Sequence, residues 1–130
     1  MTGNHVTPAL IEGGSCGWLT NLAELSNRFG NVDTIYPGHG DPGPAAQQIS
    51  GQRDYLRHYR EIVKPAVAAG SDEGTALSET ETKQIVAELD RRYPDYPQVA
   101  SLPNLQELNV AAVGRELAAQ VSATMPPECD

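Results

Sequence analysis

The residues best suited to metal chemistry in this sequence are three histidines, His5, His39 and His58. Neutral imidazole is a common ligand for zinc and iron. His39 stands in the run Tyr36-Pro-Gly-His-Gly40, where glycines on both sides permit unusual backbone angles and leave the imidazole unobstructed. We therefore expect His39 to be the metal ligand that this chain offers, at the end of a short strand.

A complete catalytic zinc site needs about three protein ligands and a water molecule. No two histidines of this chain are close in sequence. His5 lies in an N-terminal loop that could approach His39, and His58 lies mid-helix, where a surface or boundary position is expected. If the chain acts alone, His39 is better explained as a loop residue that hydrogen-bonds locally.

Two interpretations are open for the charged residues near these histidines. Asp41 follows the loop directly and is expected to form its turn, although it could also orient His39. Arg53, Arg57 and Arg60 form a basic stripe at helical spacing. A carboxylate-binding patch is one interpretation of the stripe, and a solvated face paired with neighbouring acidic residues is the favoured one.

The two cysteines, Cys16 and Cys129, lie far apart and form no C-x-x-C pair. We expect two unrelated free thiols in a reducing compartment, with Cys129 in a frayed C-terminal segment. The sequence shows no apolar run of about 20 residues and no signal peptide, so a cytoplasmic location is expected. The net charge of −8 argues against a nucleic-acid or anionic-membrane partner, because both need clustered lysine and arginine.

The length of 130 residues fits one domain. The spacing of apolar residues predicts four helices with these approximate limits: Trp18–Phe29, Pro44–Ala69, Ser78–Arg92 and Asn104–Val121. The run Val32–Tyr36 is the one credible strand.

Local signals refine the helix limits. Gly30 is a helix stop, and Pro65 is expected to kink or split the second helix near Val63. Ser78 with Glu81 predicts a capping box, and Asn104 three residues before Glu107 gives a second capping signal.

The stretch Asn31–Gly43 resembles the metallo-β-lactamase fold superfamily, in which a strand ends in a Pro-Gly-His-Gly loop. Weaker similarity covers Asn4–Leu10, Trp18–Gly30, Gln52–Leu56 and Glu107–Leu117. The resemblance implies that His39 is a ligand of a dinuclear metal site, with zinc or iron as the metal. It also implies an αββα sandwich, of which this chain would be the C-terminal half.

The departures from the family pattern concern its other metal ligands. The H-x-H-x-D-H motif is absent, and a second ligand histidine and the bridging aspartate have no counterpart. Of the family's ligand set, only His39 can be carried over.

The sequence therefore predicts an α+β, helix-rich fold with few strands and about four helices. Residues 1–130 would form one truncated domain, with a loop-helix-strand part at 1–43 and a helical part at 44–124. We expect a metallohydrolase-like protein that is not hydrolytic by itself. Zinc or iron would bind only if other ligands are supplied.

Two alternatives stay open: a non-catalytic helical binding or dimerisation module, and a metal-dependent hydrolase whose site another chain completes. The expected partner is a second copy of the chain or a complementary N-terminal half. The sequence names no substrate.

Overall fold

The computed structural model describes residues 3–11, 13–69, 77–99, 102–120 and 126–129. Within this part of the chain the elements are, in order, α1 (Gly14–Phe29), β1 (Thr34–Ile35), β2 (Gly43–Pro44), α2 (Ala45–Ala69), α3 (Glu79–Arg92), α4 (Leu105–Gln120) and a 3₁₀ turn (Pro127–Cys129). β1 and β2 pair antiparallel, with Thr34 opposite Pro44 and Ile35 opposite Gly43. The prediction of a helix-rich chain with few strands is confirmed for the described residues, and the small antiparallel sheet is compatible with the α+β class.

The hydrophobic core is arranged around α2. Tyr55, Leu56, Tyr59 and Val63 recur at helical spacing on one face of α2, and each is at most 2% exposed. The other helices add apolar side chains to the same cluster, among them Leu19, Leu22, Leu89, Val110 and Val113. Because α2 contacts α1, α3 and α4, it holds the remaining helices in place.

The capping box predicted for α3 is confirmed. The Ser78 side chain accepts a hydrogen bond from the Glu81 amide, and the Glu81 carboxylate accepts one from the Ser78 amide at 2.8 Å. The second capping signal does not have the expected geometry. Asn104 has a φ of +60°, whereas a capping residue normally has extended backbone.

Of the two outcomes expected for Pro65, a kink or a split of the second helix, the split does not occur. α2 runs unbroken from Ala45 to Ala69 and contains Pro65. Proline removes one backbone donor and crowds the preceding turn. Pro65 is exposed and lies within the last two turns, where solvent can accommodate the displaced carbonyl.

The predicted strand is shorter than expected. Of the run Val32–Tyr36, only Thr34 and Ile35 pair as β1. Their partner β2 includes Pro44, which has no backbone N–H to extend the ladder. The sheet within the described residues therefore stays a two-residue ribbon.

The expectation of two free thiols is wrong. Cys16 and Cys129 form a disulfide with a Cα–Cα distance of 5.2 Å. Cys129 is 5% exposed, so the residue expected in a frayed tail is buried against α1. Sequence spacing did not indicate this pair because 113 residues separate the two cysteines.

No helix among the described residues has both the length and the apolar character needed to cross a membrane. The predicted end of the last helix at Val121 lies outside the described residues.

Candidate functional site

The loop that carries His39 is held by hydrogen bonds from the N-terminal segment and from the first turn of α2. The Gly3 amide donates to the His39 carbonyl at 2.7 Å. The Gln48 side chain, at the start of α2, accepts from the Asn4 amide at 2.6 Å and donates to the Asp41 carbonyl at 3.2 Å. The loop is therefore held between the N-terminal segment and α2.

Gly40 is required for this arrangement. Its φ is +92°, and a Cβ there would lie 2.9 Å from a methyl carbon of Val6. The backbone of the loop is thus closely packed, while His39 itself is exposed. The result is an accessible imidazole on a backbone with little freedom to move.

Asp41 contributes its backbone carbonyl to this loop, as the acceptor for Gln48. The contact uses the backbone only, so the expected role of the Asp41 side chain in the turn stays a prediction.

The other two histidines have different surroundings. The His5 ring packs edge-on against Tyr96, with ring centroids 5.3 Å apart. His58 contacts the Tyr93 hydroxyl through Nδ1 and Arg92 through Nε2, the latter at 2.6 Å.

The structure does not gather these histidines into a metal site. Across the described ranges, no three histidine, cysteine, aspartate or glutamate side chains form a group that could hold a metal ion. His39 therefore fits one coordination position, and the described residues do not fit a complete zinc or iron site. No reaction step can be assigned to these residues alone.

Arg60 is the main feature that sequence analysis missed. The favoured prediction placed Arg60 on a solvated face, but Arg60 is only 6% exposed. Its guanidinium donates to the Ser15 hydroxyl at 2.7 Å, to Gln120 Oε1 at 2.8 Å and to the Cys129 carbonyl at 2.9 Å. Glu116 of α4 forms an ion pair with it, at 3.4 Å.

Glu116 also caps the N-terminus of α1. Gly13 precedes that helix in a left-handed conformation and supplies no side-chain cap. The Glu116 carboxylate accepts from the Ser15 amide at 2.9 Å and from the Cys16 amide at 2.8 Å. A carboxylate is favoured there because the first amides of a helix are unpaired and its dipole is positive at that end.

A cavity of about 170 Å³ lies beside this network, between α1, α2, α4 and the C-terminal turn. Arg57, Arg60, Glu61 and Lys64 of α2 form one wall. Leu19 and Leu117 also line the cavity, but only Leu117, at 9% exposed, has accessible apolar surface. The cavity therefore combines several positive charges with a small apolar surface.

Three large apolar side chains close to β1 in the sequence are exposed. Phe29 is 47% exposed, Val32 43% and Tyr36 79%. They follow one another along the chain from the end of α1 to the end of β1.

Comparison of the chain with protein families, with curated proteins and with solved structures finds no match.

Proposed function

We propose that this chain is part of a metal-dependent hydrolase of the metallo-β-lactamase type and that His39 is one ligand of its metal site. The observation that carries the proposal is the combination of a fixed loop backbone and an exposed imidazole. A ligand must be held in a defined position to bind a metal selectively, and it must be reachable. His39 meets both requirements.

The remaining ligands would come from outside these 130 residues or from a second copy of the chain. A single imidazole binds zinc weakly and does not lower the pKa of a metal-bound water enough for hydrolysis. The chain by itself is therefore proposed to be non-hydrolytic. The substrate class would be set by the segment that completes the site.

Zinc titration of the purified chain tests the role of His39. We expect one weak site per chain in calorimetry, and selective perturbation of the His39 ring signals in NMR spectra. The His39→Ala variant should lose this binding. The matched control is His5→Ala, which removes another exposed histidine and should leave binding unchanged.

Three results would contradict the proposal. They are zinc binding that survives His39→Ala, equal loss in both variants, and no binding to wild type at millimolar zinc. Hydrolytic activity of the chain with zinc, if lost in His39→Ala, would instead support a site completed between two copies.

A second candidate function is a homodimerisation module, favoured by the exposed apolar residues Phe29, Val32 and Tyr36. Large apolar side chains that lie together on a surface are typical of interfaces, and within the described residues the β1–β2 ribbon pairs with no third strand. Analytical ultracentrifugation decides this point. A dimer that dissociates in Tyr36→Ser supports the module, and a monomer at all concentrations contradicts it.

The cytoplasmic location expected from the sequence stays a prediction. The Cys16–Cys129 disulfide favours an oxidising compartment, because cytosolic thiols are normally kept reduced. Thiol trapping in the intact cell distinguishes the two locations.

A further inference from the structure

Basic side chains are concentrated on one face of α2, although the chain as a whole is acidic. Arg53, Arg57, Arg60 and Lys64 are three or four residues apart, so they share a helix face. They are four of the nine lysines and arginines in a chain with a net charge of −8. Such local segregation of positive charge raises the local concentration of anions.

Three of these residues, Arg57, Arg60 and Lys64, line the 170 Å³ cavity. Arg60 is fixed in position by its hydrogen bonds to Ser15, Gln120 and the Cys129 carbonyl. Because those contacts hold the guanidinium rigidly, its charge does not have to be ordered when a ligand binds. The Arg60 guanidinium therefore has its position before a ligand binds, and this lowers the entropic cost of binding.

Arg57 and Lys64 lie on either side of Arg60, and neither forms an ion pair within the described residues. Arg57 is half-buried, and Lys64 is exposed. A partly desolvated guanidinium gains most from an added carboxylate, which it can bind through two parallel hydrogen bonds. Arg57 is therefore the natural contact for an incoming anion.

The charged residues that line the cavity indicate the net charge of a suitable ligand. Among the described residues that line the cavity, three are cations and one, Glu61, is a carboxylate. Glu116 is already bound by Arg60 and by the N-terminus of α1. A ligand with one negative charge would be attracted without overcompensating this excess of positive charge.

The apolar part of the cavity lining sets the ligand's shape. Leu117, which is 9% exposed, presents apolar surface beside these charges, and this favours an apolar body over a fully polar anion. A cavity of about 150 Å³ is known to hold benzene, so the present one has room for a body of that size. We propose that this cavity binds a small monocarboxylate with a compact apolar body, whose carboxylate contacts Arg57 and whose body packs on Leu117.

The loop that carries His39 does not line the cavity, so ligand binding in the cavity is independent of the proposed metal chemistry. Benzoate is a suitable probe, with benzamide as its uncharged equivalent and inorganic phosphate as an anion without an apolar body. We expect benzoate to shift the methyl signals of Leu19 and Leu117 in a saturable manner. Benzamide and phosphate should each bind at least about tenfold more weakly.

Equal binding of benzamide would show that the positive wall does not contribute, and would overturn the proposal. Tighter binding of phosphate, without shifts of the leucine methyls, would show a simple anion-binding surface and would also overturn it.

Variants of single arginines locate the site. Arg57→Gln should weaken benzoate binding about tenfold, and Arg57→Lys should restore part of the loss. Arg28→Gln is the matched control, because Arg28 is an exposed arginine of α1 that pairs with Glu24. Unchanged benzoate affinity in Arg57→Gln, or equal weakening in Arg28→Gln, would contradict the assignment.

Discussion

Glu116 links three parts of the molecule through one carboxylate. It accepts hydrogen bonds from the first amides of α1 and forms an ion pair with Arg60, whose side chain is 8% exposed. Removing the carboxylate would take an ion-pair partner away from a buried guanidinium and would leave the N-terminus of α1 without this cap. We expect Glu116→Ala to lower the free energy of unfolding by about 3 kcal/mol, measured by urea denaturation.

Glu24→Ala is the control for this prediction. Glu24 pairs with Arg28 on the surface of α1, with both side chains more than half exposed. Loss of such a pair costs about 0.5 kcal/mol. Equal destabilisation by the two variants would show that burial of the Arg60–Glu116 pair is unimportant.

Tyr55 makes the stability depend on alkaline pH. Desolvation by burial is the largest cause that raises the pKa of Tyr55 from 10.0 to about 12. Below pH 10 the residue is neutral in both states and the stability is unaffected. Between pH 10 and 12 the unfolded chain loses this proton first, so the free energy of unfolding falls.

Tyr55→Phe should therefore make the decline above pH 10 shallower, as followed by urea denaturation at several pH values. The matched control is Tyr36→Phe, because Tyr36 is 79% exposed. Some decline should persist in Tyr55→Phe, since burial also raises the pKa of Tyr59. Identical pH profiles for wild type and Tyr55→Phe would refute the prediction.

The start of α3 depends on a local sequence signal. Ser78 and Glu81 cap each other's backbone amides, as the sequence predicts. We expect Ser78→Ala to lower the free energy of unfolding by about 1 kcal/mol, since an N-cap side chain contributes roughly that amount. Thr80→Ala, an exposed position in the same turn, is the control and should have a much smaller effect.

Hydrogen exchange of the Glu81 amide reports directly on this cap. In Ser78→Ala the amide should exchange faster, because its acceptor is removed. Unchanged exchange at Glu81, together with unchanged stability, would mean that the cap is not formed in solution.

The elements that sequence predicts well are those with local causes. The apolar spacing of Leu19, Leu22, Tyr55 and Tyr59 records which helix faces are buried, so the helices are predictable. The Gly40 turn is also predictable, because its positive φ favours glycine. The polar network of Arg60 is not predictable, since its partners lie between 45 and 69 residues away.

The exposure of His39 is a related case. Its glycine neighbours predict an accessible imidazole, whereas the anchoring of the loop by Gln48 depends on how α2 packs against the N-terminal segment. Which residues would complete a metal site cannot be read from local sequence, because ligands converge through the tertiary fold.

The Cys16–Cys129 disulfide closes almost the entire chain into one covalent loop. Cys16 and Cys129 are separated by 113 residues, and the bond ties the C-terminal turn to α1. A cross-link over about 100 residues lowers the entropy of the unfolded chain enough to stabilise the fold by about 4 to 5 kcal/mol in the chain-entropy description. We therefore expect reduction to lower the free energy of unfolding by about 4 kcal/mol, measured by urea denaturation with and without dithiothreitol.

The variant with Cys16→Ser and Cys129→Ser provides the control, because it should match the reduced wild type and show no response to dithiothreitol. Reduction should also release the Cys129 carbonyl from Arg60, since the C-terminal turn loses its covalent tie to α1. The Arg60–Glu116 pair would then be more hydrated, and Glu116→Ala should destabilise the reduced protein less than the oxidised one. Two free thiols in the unreduced protein, or additive effects of reduction and Glu116→Ala, would show that the disulfide and the buried ion pair do not act together.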